Sequence, residues 1–311
     1  MVIVFFGTPE FAVPSLEALI ASRHRVAAVV SQPDRPRGRG QTLQPTPTKT
    51  VGEAHGIPVL QPDKIREPAF LDQIRGFAPD LGVVVAFGRI LPDALIAIPR
   101  RGMINVHASI LPRYRGAAPI QRAVMAGDPE TGVTIMRIET ELDAGATFAA
   151  SAVPIPSDAT SGQMESRLAI LGAQLLLPVV DGLDAGHAVE TPQDHARATF
   201  APKITKEEGP IDWNQPAAAI HNRIRALQPW PLASTTLNGR RLVLRRSGVV
   251  SPAPPIGPGT VVRAHGDEIV VACGEGTYLR IFDLQPEGKR TMTAREFLAG
   301  RGIAAGVRFG T

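Results

Sequence analysis

The chain has a single cysteine, Cys273, so no intrachain disulfide can form and no zinc cluster can be built from thiolates. That scarcity fits a reducing compartment, and a cytoplasmic protein is expected. Long apolar runs are missing as well: none approaches the roughly 18 residues that cross a bilayer, and no membrane partner is predicted. The opening stretch MVIVFFGTPEF is apolar, but no basic segment precedes it and it reaches Gly7-Thr8-Pro9 at once, which argues against a signal peptide. Also absent is the glycine pattern of dinucleotide sites. The first apolar run leads into GTPEFA, with Pro9 and Phe11 where a backbone would have to approach a pyrophosphate. No spacing of the H-E-x-x-H kind occurs, and no metal is predicted.

Composition is otherwise that of a globular protein, with 44% hydrophobic and 20% charged residues over 311 positions, a length that suits two domains. The net charge of +4 is unevenly placed. Residues 1–202 carry 18 basic and 20 acidic side chains, and residues 203–311 carry 15 and 9. All the positive excess therefore lies in the last third. It is either a footprint for a polyanion or a solvated basic surface.

The first part alternates strand and helix signals. Short unbroken apolar runs at Val2–Phe6, Val26–Val30, Leu81–Phe87 and Met103–Val106, with a weaker one at Ile57–Leu60, read as buried parallel strands. Helical spacing falls over Phe11–Ala21, Ile65–Phe77 and Met164–Leu183, and Val133–Ile138 with Phe148–Ile155 resemble a strand pair. This alternation predicts an α/β fold with an open, Rossmann-like, mostly parallel sheet. Ser31–Thr50 is too long and polar for an ordinary connection and reads as a functional or disordered loop. Periodicity fades near Glu190–Pro210. Beyond a helical stretch at Ala217–Leu227, short strands follow at Ala233–Leu237, Leu242–Arg246, Thr260–Ala264, Ile269–Ala272 and Tyr278–Leu284, with a hairpin signal at Asn238-Gly239. They predict a small β-barrel of OB type. The expected division is a catalytic domain over 1–189, a linker over 190–208 and a basic domain over 209–311.

The segment with chemical content is Asn105-Val106-His107-Ala108-Ser109-Ile110-Leu111-Pro112. Strand alternation puts Asn105 and His107 on one side, at the strand's C-terminal end, where open α/β sheets hold their ligands. Histidine moves protons near neutral pH and asparagine can donate to a developing oxyanion. A histidine satisfied at a strand end and an asparagine in a turn is the plainer alternative. Asp143, in ELDAG, is either a turn residue or the carboxylate that orients His107. Together the three make an acyl-transfer set without a covalent nucleophile, the attacking amine arriving with the substrate. The other histidines, His24, His55, His187, His195, His221 and His265, sit in no motif and read as structural or surface residues.

The run INVHASILPRYRGAAPIQRAVMAGD, followed by TGVTIM and LDAG, resembles the folate-dependent formyltransferases, and FFGTPEFA, SQPDRPRGRG, KEEGPIDW, IRALQPWP and PGTV extend the resemblance over nearly the whole chain. PDRPRGRG and the C-terminal matches point to the branch that acts on charged tRNA. The resemblance implies catalytic roles for Asn105, His107 and Asp143, with 10-formyltetrahydrofolate as co-substrate, no metal, and methionyl initiator tRNA as acceptor. It implies folate contacts at Ser109, Ile110, Leu111 and Pro112, with Phe87 and Gly88 in the same neighbourhood. It implies tRNA contacts from Arg35, Arg37 and Arg39 in the long loop. Arg240, Arg241, Arg245 and Arg246 at the basic hairpin are expected to add to these, and Lys49, Arg113 and Arg115 are weaker candidates. A monomer is expected. Two other readings remain: a formyltransferase for a nucleotide-sugar amine, which needs no basic barrel, and a non-catalytic nucleic-acid-binding module.

Overall fold

The structure is a computed structural model that describes residues 1–37, 42–251, 256–300 and 303–310. Contacts divide it into two units, each drawn from separate stretches of chain: residues 1–119, 131–153 and 165–202 in the first, and 120–130, 154–164 and 203–311 in the second.

The first unit is built on a seven-stranded sheet. Its strands are β1 (Val2–Gly7), β2 (Arg25–Val30), β5 (Val59–Leu60), β6 (Leu81–Val85), β7 (Met103–His107), β8 (Glu130–Arg137) and β9 (Thr147–Pro154), in the order β5-β2-β1-β6-β7-β8-β9. The pairs from β5 through β7 are parallel, and β8 runs antiparallel to β7. The unbroken apolar runs of β1, β2 and β6 reflect burial on both faces, and Leu81–Val85 is buried at every position. The chain moves outward from β1 to β2 and β5, then returns to the other side of β1 as β6. That reversal makes a crevice at the carboxyl ends of β1 and β6, the usual ligand position in such sheets. Thr8, just past β1, donates through Oγ1 to the Phe87 carbonyl just past β6 at 3.5 Å.

The segment Ser31–Thr50 contains more order than its composition suggests. A two-stranded hairpin, β3 (Arg35–Arg37) with β4 (Thr42–Gln44), is followed by a helix at Pro47–Ala54. Thr48 is fully buried, its hydroxyl donating to the Gly7 carbonyl at 2.8 Å, so a polar residue holds this helix to the sheet. With α1 at Val13–Ile20, that helix is α2; α3 (Pro68–Gly76) and the short α4 (Asp93–Ile96) follow, then α5 (Pro119–Ala126) and α6 (Ser161–Ala185).

By length and apolarity α6 is the one helix among the described residues that could cross a membrane, but 44% of its most apolar window is buried inside the fold. Met164, Leu168, Leu176 and Val180, at helical spacing, are each wholly covered. Gly172 occupies the same stripe, and a Cβ there would stand 2.7 Å from a Val106 methyl, so only glycine lets the helix approach β7 this closely.

The second unit holds a six-stranded antiparallel sheet. It is formed by β10 (Ser234–Leu237), β11 (Arg240–Val250), β14 (Tyr278–Pro286), β13 (Glu268–Ala272) and β12 (Val261–His265) in that order, with β15 (Met292–Thr293) on β14. The hairpin turn falls at Asn238-Gly239, both with positive φ, as the sequence predicts. Helices α7 (Ala217–Ala226) and α8 (Ala294–Gly300) pack on it. The early excursions of the chain are tied in by polar contacts: Arg122 on α5 pairs with Glu208 at 2.6 Å, half-buried, and buried Arg225 on α7 donates to the Ala159 carbonyl. Cys273, just past β13, is buried.

Candidate active site

The β7 strand ends on His107, and the next residues turn sharply. Ser109 is fully buried and its hydroxyl donates to the Arg113 carbonyl at 2.6 Å. Thr134, on β8 opposite His107, donates to the Ser109 carbonyl at 2.7 Å and accepts from the Leu111 N–H at 3.1 Å. These bonds shape the 109–113 turn. Of the residues expected to touch folate there, Ser109 and Leu111 are inside, and Ile110 and Pro112 are half-buried at the rim. Phe87 is 2% exposed and packs edge-on against Phe6, so it is core, and only the exposed Gly88 beside it faces outward.

Asn105 and His107 lie on one side of β7, as alternation requires. Asn105 is half-buried, and no hydrogen bond to its amide is made among the described residues. His107 is 5% exposed, hydrogen-bonded at one ring nitrogen and facing a carboxylate at the other. Nε2 lies 2.9 Å from the Tyr114 carbonyl, and Nδ1 lies 3.6 Å from Asp143 Oδ2. Both partners are acceptors, and the carboxylate stands just beyond hydrogen-bond reach of Nδ1.

Asp143 comes from the loop between β8 and β9, nearly forty residues downstream, and the fold brings it to the ring. Its φ is 49°, in the left-handed region that Asp and Asn tolerate better than most residues. The Gly116 N–H donates to Oδ2 at 2.8 Å. Gly116 itself has φ 120°, and a Cβ there would meet the Ala201 carbonyl at 2.8 Å, so no other residue could present that N–H from this position.

Beneath Asp143 are two residues that local sequence pattern does not mark. Arg115, expected at the tRNA surface, is 2% exposed and lies inside the fold. Its Nε and Nη2 donate to Gln193 Oε1 at 3.2 and 2.8 Å. Gln193 Nε2 donates to the carbonyls of Asp143 and Gly145, both at 2.8 Å. Gln193 falls in the stretch where periodicity fades. Its only signal is long-range, a segment at Thr199–Ala201 that bonds the Arg115 backbone on both sides.

The expected tRNA contacts are dispersed. Arg35 is exposed on the β3 hairpin and Arg37 ends β3; Arg39 lies outside the described residues. Lys49 is committed to Asp34, at 2.6 Å, and to Gln61, at 3.0 Å. The lysine beside it holds the Asp34 carboxyl below its ordinary value, and Asp34 in turn raises Lys49. In the second unit Arg240 and Arg241 are exposed at the start of β11, Arg245 is half-buried, and Arg246 pairs with Asp283 at 2.6 Å while lying over the Phe282 ring. Among the described residues no group of three or more His, Cys, Asp or Glu side chains is placed to hold a metal ion.

Comparison with known proteins gives the family and the fold. The chain matches the family model described as Formyl transferase over residues 1–180 and the one described as Formyl transferase, C-terminal domain, over 203–302. A curated relative named methionyl-tRNA formyltransferase, from Methylococcus capsulatus, is 48% identical over 311 residues, covering 100% of each chain. Another of that name, from Trichlorobacter lovleyi, is 48% identical over 98% of this chain and 95% of its own. Among solved structures, an N-formyltransferase from Helicobacter canadensis in complex with folinic acid and dTDP-3-aminofucose shares the fold, with a TM-score of 0.67 at 16% identity over 90% of this chain and 99% of that one.

Proposed function

The chain belongs to the formyl transferase family, and from that premise we propose that it moves a formyl group from 10-formyltetrahydrofolate to the amino group of methionyl initiator tRNA, readying that tRNA for translation initiation. The observation that carries the reading is 48% identity to methionyl-tRNA formyltransferases from end to end, C-terminal domain included. The convergence of Asn105, His107 and Asp143 at the carboxyl end of the sheet supports it.

The crevice suits a folate. Exposed backbone at Gly88, half-buried Ile110 and Pro112, and the uncommitted Asn105 amide offer a polar edge and an apolar rim. In this reading the amine adds to the formyl carbon and a C–N bond forms. The carbonyl oxygen becomes an oxyanion, and the bond to the folate nitrogen then breaks, with a proton passing from the amine to the departing nitrogen. Asn105 donates to the oxyanion. His107 becomes the second donor when its Nε2–H exchanges the Tyr114 carbonyl for the oxyanion, and Asp143 holds the charged ring. Residues 1–189 carry most of the chemistry, 190–208 lead to the last domain with their first part packed in the first unit, and 209–311 grip the tRNA together with Arg35, Arg37 and Arg39. The enzyme acts as a cytoplasmic monomer without a membrane.

The test is formylation by the purified chain of charged initiator tRNA, with a nucleotide-linked amino sugar as the competing acceptor. Transfer to the tRNA and none to the sugar is expected. Transfer to the sugar alone overturns the reading.

A further inference from the structure

Asp143 is useful to His107 only if its carboxylate points at the ring, yet it sits in a loop with a backbone conformation that costs a non-glycine residue energy. Something must hold it there. The Gly116 N–H fixes the carboxylate. The backbone of Asp143 is fixed from the other side by Gln193, whose single amide nitrogen bridges the carbonyls of Asp143 and Gly145 and so spans the turn. An amide free to rotate would not do this, but the oxygen of Gln193 is gripped by two arms of the Arg115 guanidinium. Gln193 is 8% exposed and Arg115 2%, so neither side chain has water as an alternative partner. Arg115 is locked in turn. Its N–H donates to the Thr199 carbonyl at 2.8 Å, its carbonyl accepts from Ala201 N–H at 2.7 Å, and Nη2 reaches His195 Nδ1 at 3.3 Å. Among the described residues its one carboxylate partner, Glu141 at 3.3 Å, is largely exposed and contributes little. A buried guanidinium with so weak a counter-ion is poorly explained as a stability device. It is well explained as the clamp that sets which way the Gln193 amide faces.

We propose that Arg115 and Gln193 are positioning residues for the transfer reaction, acting through Asp143 on His107. The proposal rests on the functional reading above. Arg115 is adjacent to Gly116, so one short segment holds Asp143 twice: directly by a backbone N–H and indirectly through Gln193.

The decisive variants are Gln193→Ala and Gln193→Glu, assayed with folate donor and charged tRNA. Gln193→Glu keeps an acceptor for Arg115 but loses the donor to the two carbonyls, so the buried cation stays paired while Asp143 is released. Both variants should lower kcat by about 10²-fold, the usual cost of misplacing a reacting group, with KM for either substrate within about twofold of wild type. In an Asp143→Ala background the same changes should lower kcat by no more than about twofold, because the residue they position is gone. A merely structural role predicts instead that Gln193→Glu has wild-type kcat, or that the losses multiply in full; either result overturns the proposal. Thermal midpoints and binding of a folate analogue confirm that each protein is folded, and Gln193→Glu decides the matter if Gln193→Ala does not fold. Wild-type protein that formylates no tRNA in this assay overturns the functional reading itself. Active wild type with unaffected variants overturns only the positioning role.

Discussion

The end of β7 and the β10–β11 hairpin use polar residues in opposite ways. At β7 nearly every polar atom is covered and committed: His107 between a carbonyl and a carboxylate, Thr134 between two backbone groups, Arg115 against Gln193. At the hairpin Arg240 and Arg241 stand in solvent. The first arrangement fixes direction, and the second supplies charge that a mobile partner can neutralise in many poses. In the function proposed above, chemistry that depends on ångström placement falls to the first and grip on a polyanion to the second.

The contrast breaks most visibly at His107. His107→Ala should cost about 10²–10⁴-fold in kcat, the usual range for a lost acid–base group, with tRNA affinity and its salt dependence unchanged. Steady-state and single-turnover kinetics check this; a fall in affinity of the same size would place His107 in binding rather than chemistry. Asn105→Ala should follow at about 10²–10³-fold, the cost of one oxyanion donor.

Replacing Arg240 and Arg241 with glutamine should leave kcat at saturation near wild type and weaken tRNA binding. The slope of log K against log salt should flatten by about 0.7–0.9 for each phosphate that is no longer neutralised. Titrations at several ionic strengths read it directly. Arg246→Gln should flatten the slope less, since Asp283 already holds that charge. Equal effects at all three positions would mean that the exposed and paired arginines are not distinct.

Lys49 sharpens the comparison, being a cation of the first unit that behaves as structure. Asp34 lies below its ordinary value, so its contribution is present above about pH 4 and is lost as pH falls through its folded value. Lys49 is raised, so its contribution is complete below about pH 10 and is lost as pH rises further. Lys49→Met should therefore lower the thermal midpoint at pH 7, the difference shrinking toward pH 3, while the salt slope for tRNA stays at the wild-type value. The smallest effect is expected at Cys273, whose thiol burial pushes up to about 12. A thiol reagent at pH 8 should leave the native protein unmodified and label it only on unfolding.

Much of the first unit is legible because parallel strands write themselves as unbroken apolar runs, and β1, β2, β6 and β7 fall within a residue or two of their predicted places. Helix α2 is not, because Thr48 holds it to the sheet by a buried hydroxyl, which no count of apolar spacing registers. Asn105 and His107 can be placed on one side from the period of a strand alone. Asp143 needs the resemblance to join them, since an Asp that tolerates a left-handed backbone marks a turn and not a partner for His107. Gln193 reads in the sequence as part of a linker. Its burial comes from partners 48, 50 and 78 residues away, and interactions at that distance leave no periodicity to find.

The way the chain is shared between its two units bears on how it is made. The polypeptide passes from one unit to the other five times, at 119/120, 130/131, 153/154, 164/165 and 202/203. During synthesis from the N-terminus, α5 and residues 154–164 emerge long before the β10–β14 sheet that completes their unit. The second unit therefore cannot close until its last hundred residues have been translated, and its early segments must wait unsatisfied in the meantime. No single proteolytic cut or stop codon separates two self-sufficient halves. Interruption late in translation yields a chain whose first sheet is complete but which still carries orphaned pieces of the second.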